Sequence, residues 1–390
     1  MPRTEIYLVP GFLGFGRLAG LDYYIDVADV LRDRLRDAGF DAVVHSTETI
    51  AAGSLRKRAK KLAEELVALH DPAVDSVHLV GHSTGALDAR VLLSPGSDLD
   101  AGDAMRAHFD AAAFARYADI LPKVKSAVGV AAPHSGTPLA GLAVRLSFDA
   151  VLAGTSTAVR NPLVRGALAL GLRAGASLVD LVQKLPLDTP FLDWIDAEIL
   201  SEDPRAVIEF LDRIGIDTGA LRNLTQEGTD LANALLLDRP GVAYASAVTG
   251  AAAPVGFVDT EDPLIYANTL FYRAAWLLAS RHDPDYPYPS RLAEMQAVHD
   301  ADAGAGLDVG SLLVSNRIND GIVPTASQPH GELLAVLASD HLDCVGHYPH
   351  RLADGTNVSG WVRSGASFST ARFELLWQRV ADLVVRTLTP

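Results

Sequence analysis

The chain of 390 residues contains a single cysteine, Cys344, and few aromatic residues, 7% of the total. One cysteine excludes an intramolecular disulfide, so packing must stabilise the fold, with or without a metal ion. Long apolar runs are also missing, because Arg or Asp interrupts every stretch that approaches the ~18 uncharged residues of a transmembrane helix. The sequence therefore predicts no transmembrane segment.

Positive charge is scarce as well. The 33 Lys and Arg residues are outnumbered by 48 Asp and Glu residues, which gives a net charge of −15. Proteins that bind nucleic-acid phosphates concentrate Lys and Arg on one face, so we expect no nucleic-acid partner. The one basic run, from Arg56 to Lys61, lies in a helical pattern, and we interpret it as a solvated helix face.

The composition is that of a globular protein, 49% hydrophobic and 21% charged, and the length suits one large domain with insertions. Met1-Pro2-Arg3 leads directly into the apolar run Ile6-Tyr7-Leu8-Val9, without the long apolar region and cleavage site of a signal peptide. We therefore expect either a cytoplasmic protein or a secreted protein whose leader is absent.

Short apolar runs alternate with helical patterns up to about residue 138, which is typical of βαβ units on a parallel sheet. The predicted strands lie near residues 5–9, 41–45, 76–80, 125–131, 242–248 and 311–314. Leu55, Ala59, Leu62 and Leu66 recur at helical spacing and predict a buried helix face. A last helix is predicted from about Ala371 to Arg386.

The segment 139–240 is rich in leucine and alanine, has helical periods broken by prolines, and lacks a strand pattern. We interpret it as a large, mainly helical cap or lid. It separates two parts of one core, residues 1–138 and 241–390, and an insert at about 251–300 interrupts the second part.

Gly81-His82-Ser83-Thr84-Gly85 follows an apolar run and precedes a helical pattern. This strand-turn-helix context is what the G-x-S-x-G nucleophile elbow requires. The turn exposes the serine Oγ and directs the free N–H groups of a helix N-terminus toward a developing oxyanion. The sequence therefore predicts an α/β-hydrolase fold with a mostly parallel central sheet, in which Ser83 is the nucleophile.

The glycine-rich run Val9-Pro10-Gly11-Phe12-Leu13-Gly14 directly follows the first predicted strand. Taken alone it suits a plain turn equally well, although its glycines would let the backbone approach a ligand closely. Because this fold takes its second oxyanion donor from an early loop, we assign the N–H groups of Phe12 and Thr84 to the oxyanion hole.

The triad order in this fold is Ser, then Asp or Glu, then His. Asp320 in the turn Asn319-Asp320-Gly321 and His341, twenty-one residues later, fit this order. The rival bases are His82, His134, His347 and His350. We expect structural roles for the first two, and the last two follow His341 too closely to rank above it.

These motifs together resemble one family, the bacterial true lipases, which are triacylglycerol lipases of the α/β-hydrolase superfamily. The matching motifs are Leu8–Phe15, Asp22-Tyr23-Tyr24, Gly81-His82-Ser83, Ala132–Gly136, Leu224–Gly228, Asn319–Val323 and His341-Leu342-Asp343. The resemblance implies Asp320 as the triad acid, His341 as the general base and Phe12 as an oxyanion residue. Pro10-Gly11 and Thr84-Gly85 stand where the family usually or often has His-Gly; both positions lie against the acyl site, so we expect the departures to affect substrate preference more than chemistry.

The resemblance also implies a structural calcium ion beside the base. In the family, two aspartates bind calcium, and they match Asp300 and Asp343 here; the backbone carbonyls would come from His347 and Arg351. Calcium prefers carboxylate and carbonyl oxygens, and it would tie the histidine loop to the preceding insert. The alternative is that His299-Asp300-Ala301-Asp302 is a solvated acidic loop.

The sequence thus favours a serine-dependent carboxylic ester hydrolase, a lipase or esterase, that needs no cofactor for catalysis. The expected substrate is a hydrophobic ester, and the sequence does not distinguish a glyceride from an aliphatic polyester; contact with a lipid interface is a further expectation. One alternative is acyl transfer to an alcohol from the same serine. Another is a non-catalytic, ligand-binding hydrolase fold, which usually lacks a triad member, whereas all three are present here.

Overall fold

The computed structural model describes most of the two core parts and little of the predicted cap. The described residues are 1–18, 21–97, 99–100, 102–142, 144, 219–253, 263–280, 291–360 and 362–389. The predicted cap therefore lies largely outside the described residues, and so do two stretches of the predicted insert, 254–262 and 281–290. The division into two core parts, cap and insert stays a prediction.

A parallel sheet lies at the centre of the described chain. The strands are β1 (Arg3–Val9), β2 (Arg17–Leu18), β3 (Leu21–Asp22), β4 (Asp41–Ser46), β5 (Ser76–His82), β6 (Val124–Val130), β7 (Ala243–Gly250), β8 (Glu332–Ala338), β9 (His350–Arg351) and β10 (Asn357–Val358). The described residues contain this sheet and two separate two-stranded pairs, β2–β3 and β9–β10. Strands β4, β1, β5, β6, β7 and β8 lie side by side in that order, and each neighbouring pair is parallel. The carboxyl ends of β1 and β5 therefore meet at one edge, where Val9 lies opposite Gly81.

Helices cover both faces of this sheet. The helices of the described residues are α1 (Val27–Asp37), α2 (Leu55–Leu69), α3 (Thr84–Leu93), α4 (Asp103–His108), α5 (Ala111–Ile120), α6 (Gly219–Asn223), α7 (Gln226–Leu235), α8 (Pro263–Ala279), α9 (Leu292–Gly304) and α10 (Thr370–Leu388). Side chains cap several of their first turns: Asp110 caps α5, Thr225 caps α7 and Ser369 caps α10.

The side chains of β1 alternate between two cores. Ile6 and Leu8 pack with the residues of α1 and α10, including the fully buried Trp377, whereas Tyr7 and Val9 pack with the residues of α2 and α3. β1 is buried from its second residue onward and β5 along its whole length, as expected for parallel strands that are covered on both faces.

One predicted strand is wrong and one was missed. Residues 311–314 are irregular, and Leu313 is 78% exposed. The strand that completes the sheet is β8, whose apolar run Leu333–Ala338 pairs with β7. In the sequence β8 lies between Asp320 and His341, so the chain must run through this strand to get from one residue to the other. The final helix matches α10.

Candidate active site

Ser83 lies on a strained turn between β5 and α3. Its φ of 53° and ψ of −127° are a conformation that L-residues rarely adopt. A Cβ on Gly81 would lie 2.2 Å from the Ala86 N atom, and a Cβ on Gly85 would lie 2.3 Å from the Val9 carbonyl oxygen. Only glycine fits at either position, so the two motif glycines are explained by close backbone packing.

The loop after β1 lies directly against this turn. A Cβ on Gly11 would be 3.0 Å from the Ser83 Cβ. Phe12 is the next residue of that loop, and Thr84 is the first residue of α3. The N–H groups of a first helical turn have no partner within the helix. The structure therefore brings the backbone segments of both predicted oxyanion residues beside Ser83.

Arg58 corrects the interpretation of the basic run, because its side chain is fully buried rather than solvated. Its Nη2 lies 2.8 Å from Asp88 Oδ2 of α3 and 2.8 Å from the Gly11 carbonyl oxygen. The Pro10 and Phe12 carbonyl oxygens accept from the same guanidinium at 3.0 and 3.2 Å. Arg58 therefore turns three successive carbonyls of the loop toward α2.

The buried partner of Arg58 has an altered acidity. Burial raises the pKa of Asp88 to about 6, although the charge of Arg58 and its hydrogen bonds lower it. Sequence reasoning missed this pair, but a signal existed. Arg58 follows Leu55 by three residues and precedes Leu62 by four, so it falls within the apolar stripe of α2.

Asp320 and His341 form a direct pair. His341 Nδ1 lies 2.8 Å from Asp320 Oδ2, and the His341 N–H donates to the Asp320 carbonyl oxygen at 2.9 Å. Thr249 Oγ1 donates to the same carboxylate at 2.8 Å, and the Val323 N–H does so at 2.8 Å. A carboxylate at Nδ1 fixes the neutral tautomer that leaves Nε2 free to accept a proton.

The histidine loop is held against the residue before Ser83. His82 Nε2 lies 2.8 Å from the His341 carbonyl oxygen, and the two rings are 4.6 Å apart between centroids. The three predicted triad residues therefore occupy one neighbourhood at the carboxyl edge of the sheet.

The four rival histidines have other surroundings. Burial lowers the pKa of His82 and of His134 well below the ordinary value, and His134 lies 3.3 Å from Arg90 Nη1. Burial also lowers the pKa of His347 to about 4, and its Nε2 donates to the Tyr23 carbonyl oxygen at 3.0 Å. The ring of His350 stacks on Tyr348 at 4.1 Å. These contacts agree with structural roles.

The two aspartates that the resemblance assigns to calcium have different surroundings. Asp300 has a largely exposed side chain on α9 and bonds to Gln296 and His299, whereas the buried Asp343 carboxylate faces the Asp340 N–H. His347 and Arg351 follow in the chain, the latter in β9. Among the described residues, no group of three or more His, Cys, Asp or Glu side chains is placed to hold a metal ion. Calcium stays a prediction, and no step below passes through it.

The described helices include none that is long and apolar enough to cross a membrane. No protein-family profile matches the chain. No curated protein matches it in sequence.

Solved structures do match. Lipase 1 from Pelosinus fermentans superposes with a TM-score of 0.53 at 18% identity, covering 99% of this chain and 99% of the lipase. EstA from Clostridium botulinum superposes with a TM-score of 0.50 at 19% identity, covering 98% of this chain and 87% of EstA. At such identities the likeness concerns the fold. The chain has the α/β-hydrolase fold of these bacterial enzymes, as its sequence predicts.

Proposed function

We propose that this protein hydrolyses carboxylic esters through an acyl-enzyme intermediate on Ser83. The observation that carries the proposal is the 2.8 Å contact between His341 Nδ1 and Asp320 Oδ2, held beside a strained serine turn. A nucleophile, a base and a group that orients the base are the parts that covalent acyl transfer needs. The fold shared with a lipase agrees with this chemistry.

In the proposed reaction, Ser83 Oγ attacks the ester carbonyl while His341 Nε2 takes the hydroxyl proton. Asp320 stabilises the imidazolium, and the N–H groups of Phe12 and Thr84 donate to the oxyanion. The C–O bond to the alcohol then breaks, and His341 gives the proton to the departing oxygen. Water attacks the acyl-enzyme by the same route and releases the acid and free Ser83.

A hydrophobic acyl group is the proposed substrate feature. Phe12 packs against an apolar cluster beside the turn, whose buried members are Leu55, Leu87, Ala140, Ala220 and Leu224. Phe12 itself is half-buried, so its ring is the apolar side chain beside the turn that would contact an acyl chain, and small-molecule sites are typically apolar with a few polar groups. Glycerides at a lipid interface and aliphatic polyesters both present such acyl groups, and both belong to the proposed substrate class.

The test is hydrolysis of p-nitrophenyl esters of increasing acyl length by the parent and by Ser83→Ala. Loss of the nucleophile should lower kcat by roughly 10⁴- to 10⁶-fold. Ser94→Ala is a matched control, because Ser94 is buried at the other end of α3 and its Oγ accepts from the Leu237 N–H. Retained turnover in Ser83→Ala would overturn the proposal.

Acyl transfer by the same serine differs only in the group that attacks the acyl-enzyme. Adding a competing alcohol to the assay separates the two reactions. Hydrolysis predicts mainly free acid at low alcohol concentration, whereas a transferase would yield mainly the new ester.

A further inference from the structure

Tyr23 belongs to the motif Asp22-Tyr23-Tyr24, which the proposed reaction does not use. Its side chain is buried, and its hydroxyl lies between two segments of the active site. The Gly11 N–H donates to Tyr23 Oη at 2.9 Å, and Tyr23 Oη lies 2.7 Å from His82 Nδ1. His82 Nε2 faces a carbonyl oxygen, which can only accept, so the proton of the neutral ring is on Nε2 and Nδ1 accepts from the Tyr23 hydroxyl.

The other ring nitrogen of His82 completes the connection. With its proton on Nε2, His82 donates to the His341 carbonyl oxygen at 2.8 Å. The result is one line of hydrogen bonds, called the bridge below, from the Gly11 N–H through Tyr23 and His82 to the backbone of His341.

We propose that Tyr23 and His82 are positioning residues that hold the oxyanion loop and the histidine loop in register on either side of Ser83. The inference rests on the proposed function and adds two residues to it, neither of which touches the reacting atoms. Gly11 precedes the oxyanion residue Phe12, His82 precedes Ser83, and His341 is the base. The bridge thus fixes the relative placement of the three groups that must meet at one ester carbonyl.

Small displacements matter at such a site, because a misplacement of about 1 Å can cost on the order of 10²-fold in rate. Other contacts hold the same segments without the bridge. His347 Nε2 donates to the Tyr23 carbonyl oxygen at 3.0 Å, and the Ile25 N–H donates to the Val345 carbonyl oxygen at 2.9 Å. Removing the Tyr23 hydroxyl should therefore shift the histidine loop without releasing it.

The first test compares Tyr23→Phe with Tyr117→Phe. Tyr117 is a matched control because it is also buried and its hydroxyl donates to the Leu99 carbonyl oxygen at 2.6 Å, within the packing of α5. With p-nitrophenyl butyrate, Tyr23→Phe should lower kcat by about 10- to 100-fold with KM changed less than about twofold. Tyr117→Phe should keep the parental kcat.

The second test changes His82. A glutamine amide can place an N–H near the position of Nε2, whereas methionine fills the space without a donor. His82→Gln should keep more of the parental kcat than His82→Met, and Tyr23→Phe/His82→Met should be scarcely worse than the worse single variant. Near-ultraviolet circular dichroism checks that each variant is folded; if His82→Met is not, the comparison of Tyr23→Phe with Tyr117→Phe still decides.

Three results would overturn the bridge: parental kcat in Tyr23→Phe, an equal loss in Tyr117→Phe, or fully additive losses in the double variant. Ser83→Ala, assayed alongside, separates this outcome from failure of the proposed function. If Ser83→Ala is inactive and Tyr23→Phe is fully active, the bridge is wrong and the serine chemistry stands.

Discussion

Two carboxylate–histidine pairs lie on opposite sides of the central sheet: one at its amino edge, where the parallel strands begin, and one at its carboxyl edge, where they end. At the amino edge, His70 Nδ1 is 2.7 Å from Glu5 Oε2 of β1; at the carboxyl edge, His341 Nδ1 is 2.8 Å from Asp320 Oδ2. All four side chains are at least 92% buried. The geometry of the two pairs is therefore nearly the same, and it cannot by itself define a catalytic base.

The neighbours of each pair differ. The second ring nitrogen of His70 is already in use, because Lys123 Nζ lies 3.3 Å from His70 Nε2 and donates to it. The ring of His341 instead packs on His82, the residue before Ser83. Carboxyl ends of parallel strands carry the turns on which open α/β sheets place their ligands. A carboxylate–histidine pair suits catalysis when its free nitrogen meets a nucleophile at that edge.

The largest expected effect separates the pairs by activity. His341→Gln should lower kcat by roughly 10⁴-fold or more, because the general base is lost. His70→Gln, the same substitution at the other pair, should keep the parental kcat and lower the melting temperature, because a buried hydrogen-bonded group is lost. Ester hydrolysis and thermal unfolding of both variants measure this contrast.

The acid gives a companion measurement. Asp320→Asn and the double variant Asp320→Asn/His341→Gln should show strongly non-additive losses in kcat, since the two residues act as one unit. Full additivity would contradict a shared role. A large loss of kcat in His70→Gln would show that the two edges are coupled rather than distinct.

The contrast also shows what sequence reasoning can reach. Ser83 and its glycines form a local motif, and their conformation follows from strand, turn and helix patterns within a few residues. Asp320 and His341 were identified from their order along the chain. By contrast, 65 residues separate Glu5 from His70, and no local pattern indicates that contact.

Two misses have physical reasons. The sequence predicts a solvated position for Arg58 because charged side chains are usually exposed, whereas in the structure Asp88 and backbone carbonyls accept hydrogen bonds from its guanidinium. Strand β8 has no clear strand pattern in the sequence, because Glu332–Ala338 consists largely of leucine and alanine, which are strong helix formers, and pairing with β7 makes it a strand. Both errors concern partners that only the folded chain supplies.

A second, smaller effect tests whether Arg58 acts in stability, in positioning, or in both. Arg58→Met leaves the Asp88 carboxylate buried without a partner, which should cost about 3–5 kcal/mol of stability. It should also lower kcat by about 10²-fold, because the carbonyls of Pro10, Gly11 and Phe12 lose their donor. Urea unfolding and p-nitrophenyl butyrate hydrolysis measure the two effects.

The double variant Arg58→Met/Asp88→Leu sharpens this test. Replacing a whole buried ion pair by apolar residues often restores stability. We expect the free energy of unfolding to recover while kcat stays low. Recovery of both would show that Arg58 matters for stability alone. Lys57→Met is the control, because Lys57 is an exposed neighbour on the same helix.

The smallest expected effect is a pH dependence confined to the amino edge. Burial alone would raise the pKa of Glu5, but the nearby His45 ring and hydrogen bonds from the Asp71 N–H, His70 and Tyr7 outweigh it and lower the pKa from 4.5 to about 2. A carboxyl group with a depressed pKa in the folded state stabilises the protein above its unfolded value, and loses that contribution as the pH falls through the folded value. The window is therefore pH 4.5 to about 2.

Glu5→Gln removes the ionisable group and should show this window directly. At about pH 7 the variant should be less stable than the parent in urea unfolding, by less than the loss in Arg58→Met, and the difference should shrink as the pH falls toward about 3. Its kcat at neutral pH should equal that of the parent, since His70 faces Lys123 and not a nucleophile. A stability difference that stays constant with pH would show that Glu5 contributes through packing rather than charge. A loss of kcat would mean that the contacts of Glu5, near the start of β1, help to place Gly11 just after the end of that strand. The Glu5–His70 and Asp320–His341 pairs would then belong to one functional unit.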